Sequence, residues 1–119
     1  LMSHSAVIDA DRLWSRLQTL AGFGAIPGGG VNRQALSAED IEAQRQMIAW
    51  GEGAAMSAAH DAAGNLYLTL PGADPEAPCV LIGSHLDSQP TGGRFDGVVG
   101  VLAALRASGR PGRSASWRG

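Results

Sequence analysis

The chain has 119 residues, 45% hydrophobic and 17% charged, with a formal net charge of −2. That length holds one domain at most, and the balance of residues excludes a disordered polymer. It also gives no broad electrostatic reason to bind nucleic acid or an anionic membrane, and neither is expected as a partner.

Leu1–Ala10 lacks a basic start followed by an apolar core, so no secretory signal is readable there. Asp9 or Asp11 can cap a first helix in which Leu13, Leu17 and Leu20 recur at helical spacing beside Trp14, ending near Gly22-Phe23-Gly24. Pro27-Gly28-Gly29-Gly30 reads as a loop. A glycine triplet can cradle an anion, but no strand precedes this one and no Lys-Ser/Thr follows it. Ser37-Ala38-Glu39-Asp40 reads as a capped helix start with acids in the first turn, where they favour the helix dipole. Ile41, Met47, Ile48 and Met56 give an apolar stripe with Trp50 nearby, and Gly51 and Gly53 place the helix end between Trp50 and Met56.

Ser57–Asp61 and Asn65–Leu70 flank Ala62-Ala63-Gly64 as a hairpin, with Leu66, Leu68 and Leu70 alternating with Tyr67 and Thr69. His60 has no partner at ligand spacing and reads as a surface histidine. After a proline-punctuated loop, Cys79–Gly83 reads as a short, fully buried strand of the kind found in parallel or mixed sheets. Cys79 opens it as a buried, inert thiol, and a lone cysteine fits a reducing cytoplasm. Asp96 then starts Gly97–Leu105, a small-residue helix able to pack closely on a sheet and, at nine residues, too short to span a bilayer. The class is α/β. From Ser108 the character changes to an irregular basic stretch with three arginines, dividing the chain into 1–107 and 108–119. That tail reads either as a natural disordered end or, the favoured reading, as a reading-frame change that cuts an apolar helix in mid-pattern.

The chemistry gathers in the fifteen residues from Gly83 to Gly97. His85 and Asp87 are two apart, so on extended backbone their side chains share a face. A carboxylate beside a metal-bound imidazole fixes its orientation and raises its basicity. Gly92 and Gly93 let the chain turn back sharply and return Asp96 to the same place. Its two oxygens can bridge two cations about 3.5–4 Å apart in a hydrolytic centre. Taken singly, His85 can equally be a core histidine, Asp87 a turn former before Pro90 and Asp96 a helix cap.

The Gly83–Gly97 string as a whole resembles the first metal-binding block of the M20 metallopeptidase-like amidohydrolases. Within them it is most similar to the N-carbamoyl-L-amino-acid hydrolase, allantoate amidohydrolase and β-ureidopropionase branch. Gly28–Asp40 and Asp61–Tyr67 resemble segments of the same branch, so the likeness covers roughly residues 11 to 106. The resemblance implies an aminopeptidase-like catalytic domain, a mixed sheet between helices, of which this is the N-terminal part without the inserted dimerisation domain. It implies that His85 is a terminal ligand to one metal, that Asp96 bridges two, and that Asp87 is the catalytic-site acid orienting His85. The metals would be zinc, or manganese, cobalt or nickel. The substrate would be an N-carbamoyl-L-amino acid or related ureido compound, cleaved at its carbamoyl C–N bond by a cytoplasmic homodimer. The branch's Glu-Glu pair and later histidines have no counterpart, since no Glu follows Glu76 and no His follows His85. The lone chain is therefore expected to be inactive, with metal occupancy below two, and prone to aggregate through an open sheet edge. The alternative is a non-catalytic module that docks on a full-length relative by strand addition.

Overall fold

Asp9 opens the first helix, its carboxylate accepting the Arg12 amide at 2.9 Å and so satisfying one of the donors a helix start leaves unpaired. In the computed structural model, which describes residues 8–108, this helix, α1, spans Ala10–Ala21. It buries Leu17 and Leu20 and leaves Trp14 half exposed. The second helix, α2, spans Ala38–Gly53 and is capped by Ser37, whose hydroxyl accepts the Asp40 amide at 3.2 Å.

The buried row of α2 is Asp40, Ala43, Met47 and Gly51, a stripe with 3–4 spacing. Met47 faces inward as expected, but Ile41 lies outside this row and is 44% exposed. Asp40 turns inward because its carboxylate accepts the Leu36 amide at 3.0 Å and the Gln44 side-chain amide at 3.1 Å. Past the helix end, the Ala55 amide returns to the Glu52 carbonyl and the Met56 amide to the Gly51 carbonyl. This is a Schellman closure with alanine, at φ +62°, in the left-handed position that glycine usually fills. That conformation costs a non-glycine residue about 1–2 kcal/mol, against about 0.5–1 kcal/mol for glycine's extra unfolded freedom. Ala55→Gly is therefore expected to stabilise the fold by about 0.5 kcal/mol, read as a higher urea midpoint at unchanged slope. A lower midpoint would refute it.

Strands β1 (Ser57–His60) and β2 (Leu66–Thr69) pair antiparallel from Ser57↔Thr69 to His60↔Leu66. Asp61 builds the turn: one carboxylate oxygen accepts the amides of Ala63 and Asn65 at 3.0 and 2.9 Å, the other the Asn65 side chain at 2.8 Å. Hydrogen bonds from the Asn65 side chain and backbone, then from Ala63 and Tyr67, hold this carboxyl below its ordinary range. His60 is on the surface as expected, its ring 2.8 Å from the Gln44 side-chain oxygen. The last helix, α3 (Val98–Ser108), completes one core: Leu17 and Leu20 from α1, Ala43 and Met47 from α2, Met56, and Val98, Leu102 and Leu105 from α3.

Two expectations are corrected. Among the described residues the sheet has two strands only, and Cys79–Gly83 is not one of them. Val80, Leu81 and Ile82 are 74%, 78% and 56% exposed, and the Cys79 thiol is exposed rather than buried. A strand forms only where its amides and carbonyls find a ladder, and no described strand pairs with this run. The second correction is smaller: α3 begins at Val98, two residues after Asp96. Residues 109–119 of the tail lie outside the described residues. No helix among the described residues is long and apolar enough to cross a membrane.

Candidate metal centre

His85, Asp87 and Asp96 come together at the mouth of α3. The Nδ1 atom of His85 lies 3.0 Å from the Asp87 carbonyl oxygen and 3.2 Å from the Asp87 carboxylate. A carbonyl oxygen only accepts, so the first contact calls for a proton on Nδ1, and in the neutral ring Nε2 then carries the lone pair. That lone pair lies 3.7 Å from the Asp96 carboxylate, whose side chain is 84% exposed. Among the described residues, His85 is the one polar partner of that carboxylate. Asp96 is therefore not the cap of α3.

The backbone that carries these groups is held from several sides. The Gly92 amide donates to the Val31 carbonyl at 2.9 Å and the Gly92 carbonyl accepts the Val31 amide at 3.0 Å, which pins the loop between Asp87 and Asp96. Phe95 lies against Trp14 of α1, ring centroids 5.9 Å apart. Gly97 has φ +71°, and a Cβ there would stand 2.5 Å from both Cε1 and the carbonyl oxygen of His85. The imidazole thus rests directly on the backbone that enters α3. Only glycine permits that approach.

Sequence reasoning passed over two residues that shape this arrangement, Arg33 and Ser88. Arg33 is fully buried and donates to the carbonyls of Leu86, Leu20 and Phe23. Burial pushes its guanidinium below the usual value, while Asp40 and Asp87 act in the opposite sense. The Ser88 hydroxyl accepts the Arg33 amide at 2.9 Å, and the Ser88 amide donates to the Arg33 carbonyl at 2.7 Å. A groove of about 710 Å³ is lined by His85 and Asp87 together with Met47, Met56, Leu68 and Leu81.

The donor chemistry suits a divalent ion. Ligand bonds of about 2.0–2.2 Å separate two ligands of one ion by roughly 3–4 Å, so His85 and Asp96 are spaced as a ligand pair. Among the described residues, no group of three or more His, Cys, Asp or Glu side chains is placed to hold a metal. Two donors are at most part of a site.

Comparison with known proteins bears on what that part belongs to. An N-carbamoyl-L-amino-acid amidohydrolase of Rhizobium meliloti is 51% identical over 100 residues, 84% of this chain and 24% of the relative. The allantoate amidohydrolase of Escherichia coli K12 is 40% identical over 91 residues, 76% of this chain and 22% of that protein. The crystal structure of a hydantoinase/carbamoylase family amidase from Burkholderia ambifaria superposes with TM-score 0.80 at 52% identity, over 82% of this chain and 24% of that one. The chain is a relative of the hydantoinase/carbamoylase amidases. No family model matches it. It spans about a quarter of the length of the amidohydrolases it matches. The α/β assignment stands at the level of this shared fold over part of the relatives' length.

Proposed function

We propose that the chain forms part of a metal-dependent amidohydrolase that cleaves the carbamoyl C–N bond of N-carbamoyl-L-amino acids or related ureido compounds. The observation that carries the reading is the approach of His85 Nε2 to the Asp96 carboxylate at 3.7 Å, with Nδ1 of the same ring held by Asp87. A pair of divalent ions, zinc or manganese, cobalt or nickel, would supply an activated water and polarise the poorly electrophilic ureido carbonyl. His85 would hold one ion and Asp96 would contribute to both. Asp87 keeps the imidazole proton on Nδ1 and the ring in place. The groove beside His85 offers apolar lining for a substrate side chain. A general base and the remaining ligands would come from polypeptide outside this chain, so the 119 residues alone are expected to turn nothing over and to bind well below two ions per molecule.

The test is a chimera in which residues 8–108 replace the matching quarter of the Rhizobium meliloti enzyme. It is expected to hydrolyse an N-carbamoyl-L-amino acid, to lose activity to a chelator and to regain it with added divalent metal. Asp87→Asn should lower activity about 10–100-fold, the usual effect of losing a group that orients a ligand. His85→Asn should lower it further. A folded, active chimera indifferent to His85→Asn would overturn the assignment.

One observation favours a second reading, a non-catalytic module that docks on a full-length relative: the exposed Val80-Leu81-Ile82 run, which pairs with no strand among the described residues. Co-purification with such a relative at a fixed ratio would support it. A chain that stays monomeric beside the relative would end it.

A further inference from the structure

Arg33 is a cation with no exposed surface and, among the described residues, no carboxylate within ion-pair distance. Burying such a charge is unfavourable unless its donors are fully engaged. They are engaged with backbone. One terminal nitrogen donates to the carbonyls of Leu20 and Phe23, each at 2.7 Å, where α1 ends. The last turn of α1 contains no basic residue, so Arg33 supplies from a distance the positive charge that a helix C-terminus favours. The Nε atom donates in another direction, to the Leu86 carbonyl at 2.8 Å. Leu86 sits between His85 and Asp87. On the far side of Asp87, Ser88 exchanges two hydrogen bonds with the Arg33 backbone, at 2.9 and 2.7 Å. Arg33 therefore grips the chain on both sides of Asp87.

We propose that Arg33 is the positioning residue of this centre, its buried guanidinium tying the Leu86 carbonyl to the end of α1 and thereby fixing the backbone from which His85 and Asp87 project. The inference rests on the reading of His85 as a ligand for its functional meaning, but its geometry does not. A planar guanidinium can serve carbonyls in two directions at once. A lysine ammonium on a flexible stem cannot hold both in the same way. Removing the fork frees the 86–87 peptide to rotate and leaves the next peptide, whose Asp87 carbonyl faces His85 Nδ1, held only by its Ser88 amide.

The experiment reads the His85 tautomer by long-range proton–nitrogen correlation on the whole 119-residue chain, every sample carrying Val80→Lys and Leu81→Glu at exposed positions to keep it monomeric, at one pH above the imidazole range, with His85→Asn to assign the signal. Wild type is expected to be predominantly protonated at Nδ1. Arg33→Lys and Arg33→Met, with circular dichroism unchanged, should raise the Nε2–H share about fivefold, the shift produced by losing the net worth of one hydrogen bond. Leu17→Ala in α1 loses core packing but none of the Arg33 hydrogen bonds and should leave the tautomer where it is. An unchanged tautomer in a folded Arg33→Met chain would overturn the proposal, as would an equal shift in Leu17→Ala. If both Arg33 variants fail to fold, the wild-type chain decides: slow solvent exchange of the Arg33 Nε–H supports its tie to the Leu86 carbonyl, and exchange as fast as in a free guanidinium refutes the proposal. The chimera described above separates the two ideas. A folded, active chimera indifferent to His85→Asn removes the metal reading, while the tautomer result still judges Arg33.

Discussion

Replacing Gly97 by alanine is expected to cost roughly 2–5 kcal/mol and to displace the imidazole of His85. The left-handed backbone accounts for about 1–2 kcal/mol of that. Forced overpacking accounts for a further 1–3 or so. The added methyl would lie 2.5 Å from His85 Cε1 and from the His85 carbonyl oxygen, and 2.6 Å from Nδ1. The backbone oxygen cannot rotate out of the way as a flexible side-chain tip can. Either α3 moves off the 83–87 segment or the ring leaves its place, and each breaks the approach of His85 to Asp96. Urea unfolding and the His85 ring resonances report the two results together. A Gly97→Ala chain with wild-type stability and an unmoved His85 signal would mean that the close approach is not a property of the molecule.

What the sequence disclosed about this site follows from how far its signals reach. Caps at Asp9 and Ser37, and the alternation of Leu66, Leu68 and Leu70, are written within one or two turns of chain, and the structure places them as expected. The meeting of His85 with Asp87 was legible because residues two apart share a face. The return of Asp96 was legible because a glycine-rich loop can double back. The role of Arg33 was not, because an arginine shows nothing in sequence of which carbonyls its donors will meet 53 or 13 residues away. The burial of Cys79–Gly83 was misjudged for a related reason. A run of β-branched and apolar residues signals that a surface is to be covered, but not that the covering element is present. Gly97 lies between these cases, since a glycine directly after the last candidate ligand marks tight packing without naming the ring that uses it.

The exposed Val80-Leu81-Ile82 run leads to the other large effect. Three neighbouring apolar side chains at 74%, 78% and 56% exposure, on backbone without a ladder partner among the described residues, form the kind of surface that pairs with further copies or collapses onto them. The chain is therefore expected to sediment as a concentration-dependent mixture of oligomers at micromolar concentrations and above. Val80→Lys combined with Leu81→Glu should return it to a monomer with unchanged circular dichroism. Its stability should stay within about 0.5 kcal/mol, because substitutions at exposed positions remove little packing. A wild-type chain that is monodisperse would sink this expectation, and association that persists in the double variant would move the adhesive surface elsewhere. In the amidohydrolase chimera the same two substitutions should have the opposite value. If the additional polypeptide covers this run, Val80 and Leu81 become core residues, each contributing about 1.5–3 kcal/mol by its burial. Charges there would abolish folding of the chimera while curing the short chain. One pair of substitutions that rescues the part and ruins the whole would place the run inside a sheet that the relatives complete. Tolerance in both contexts would show that the run stays at the surface throughout.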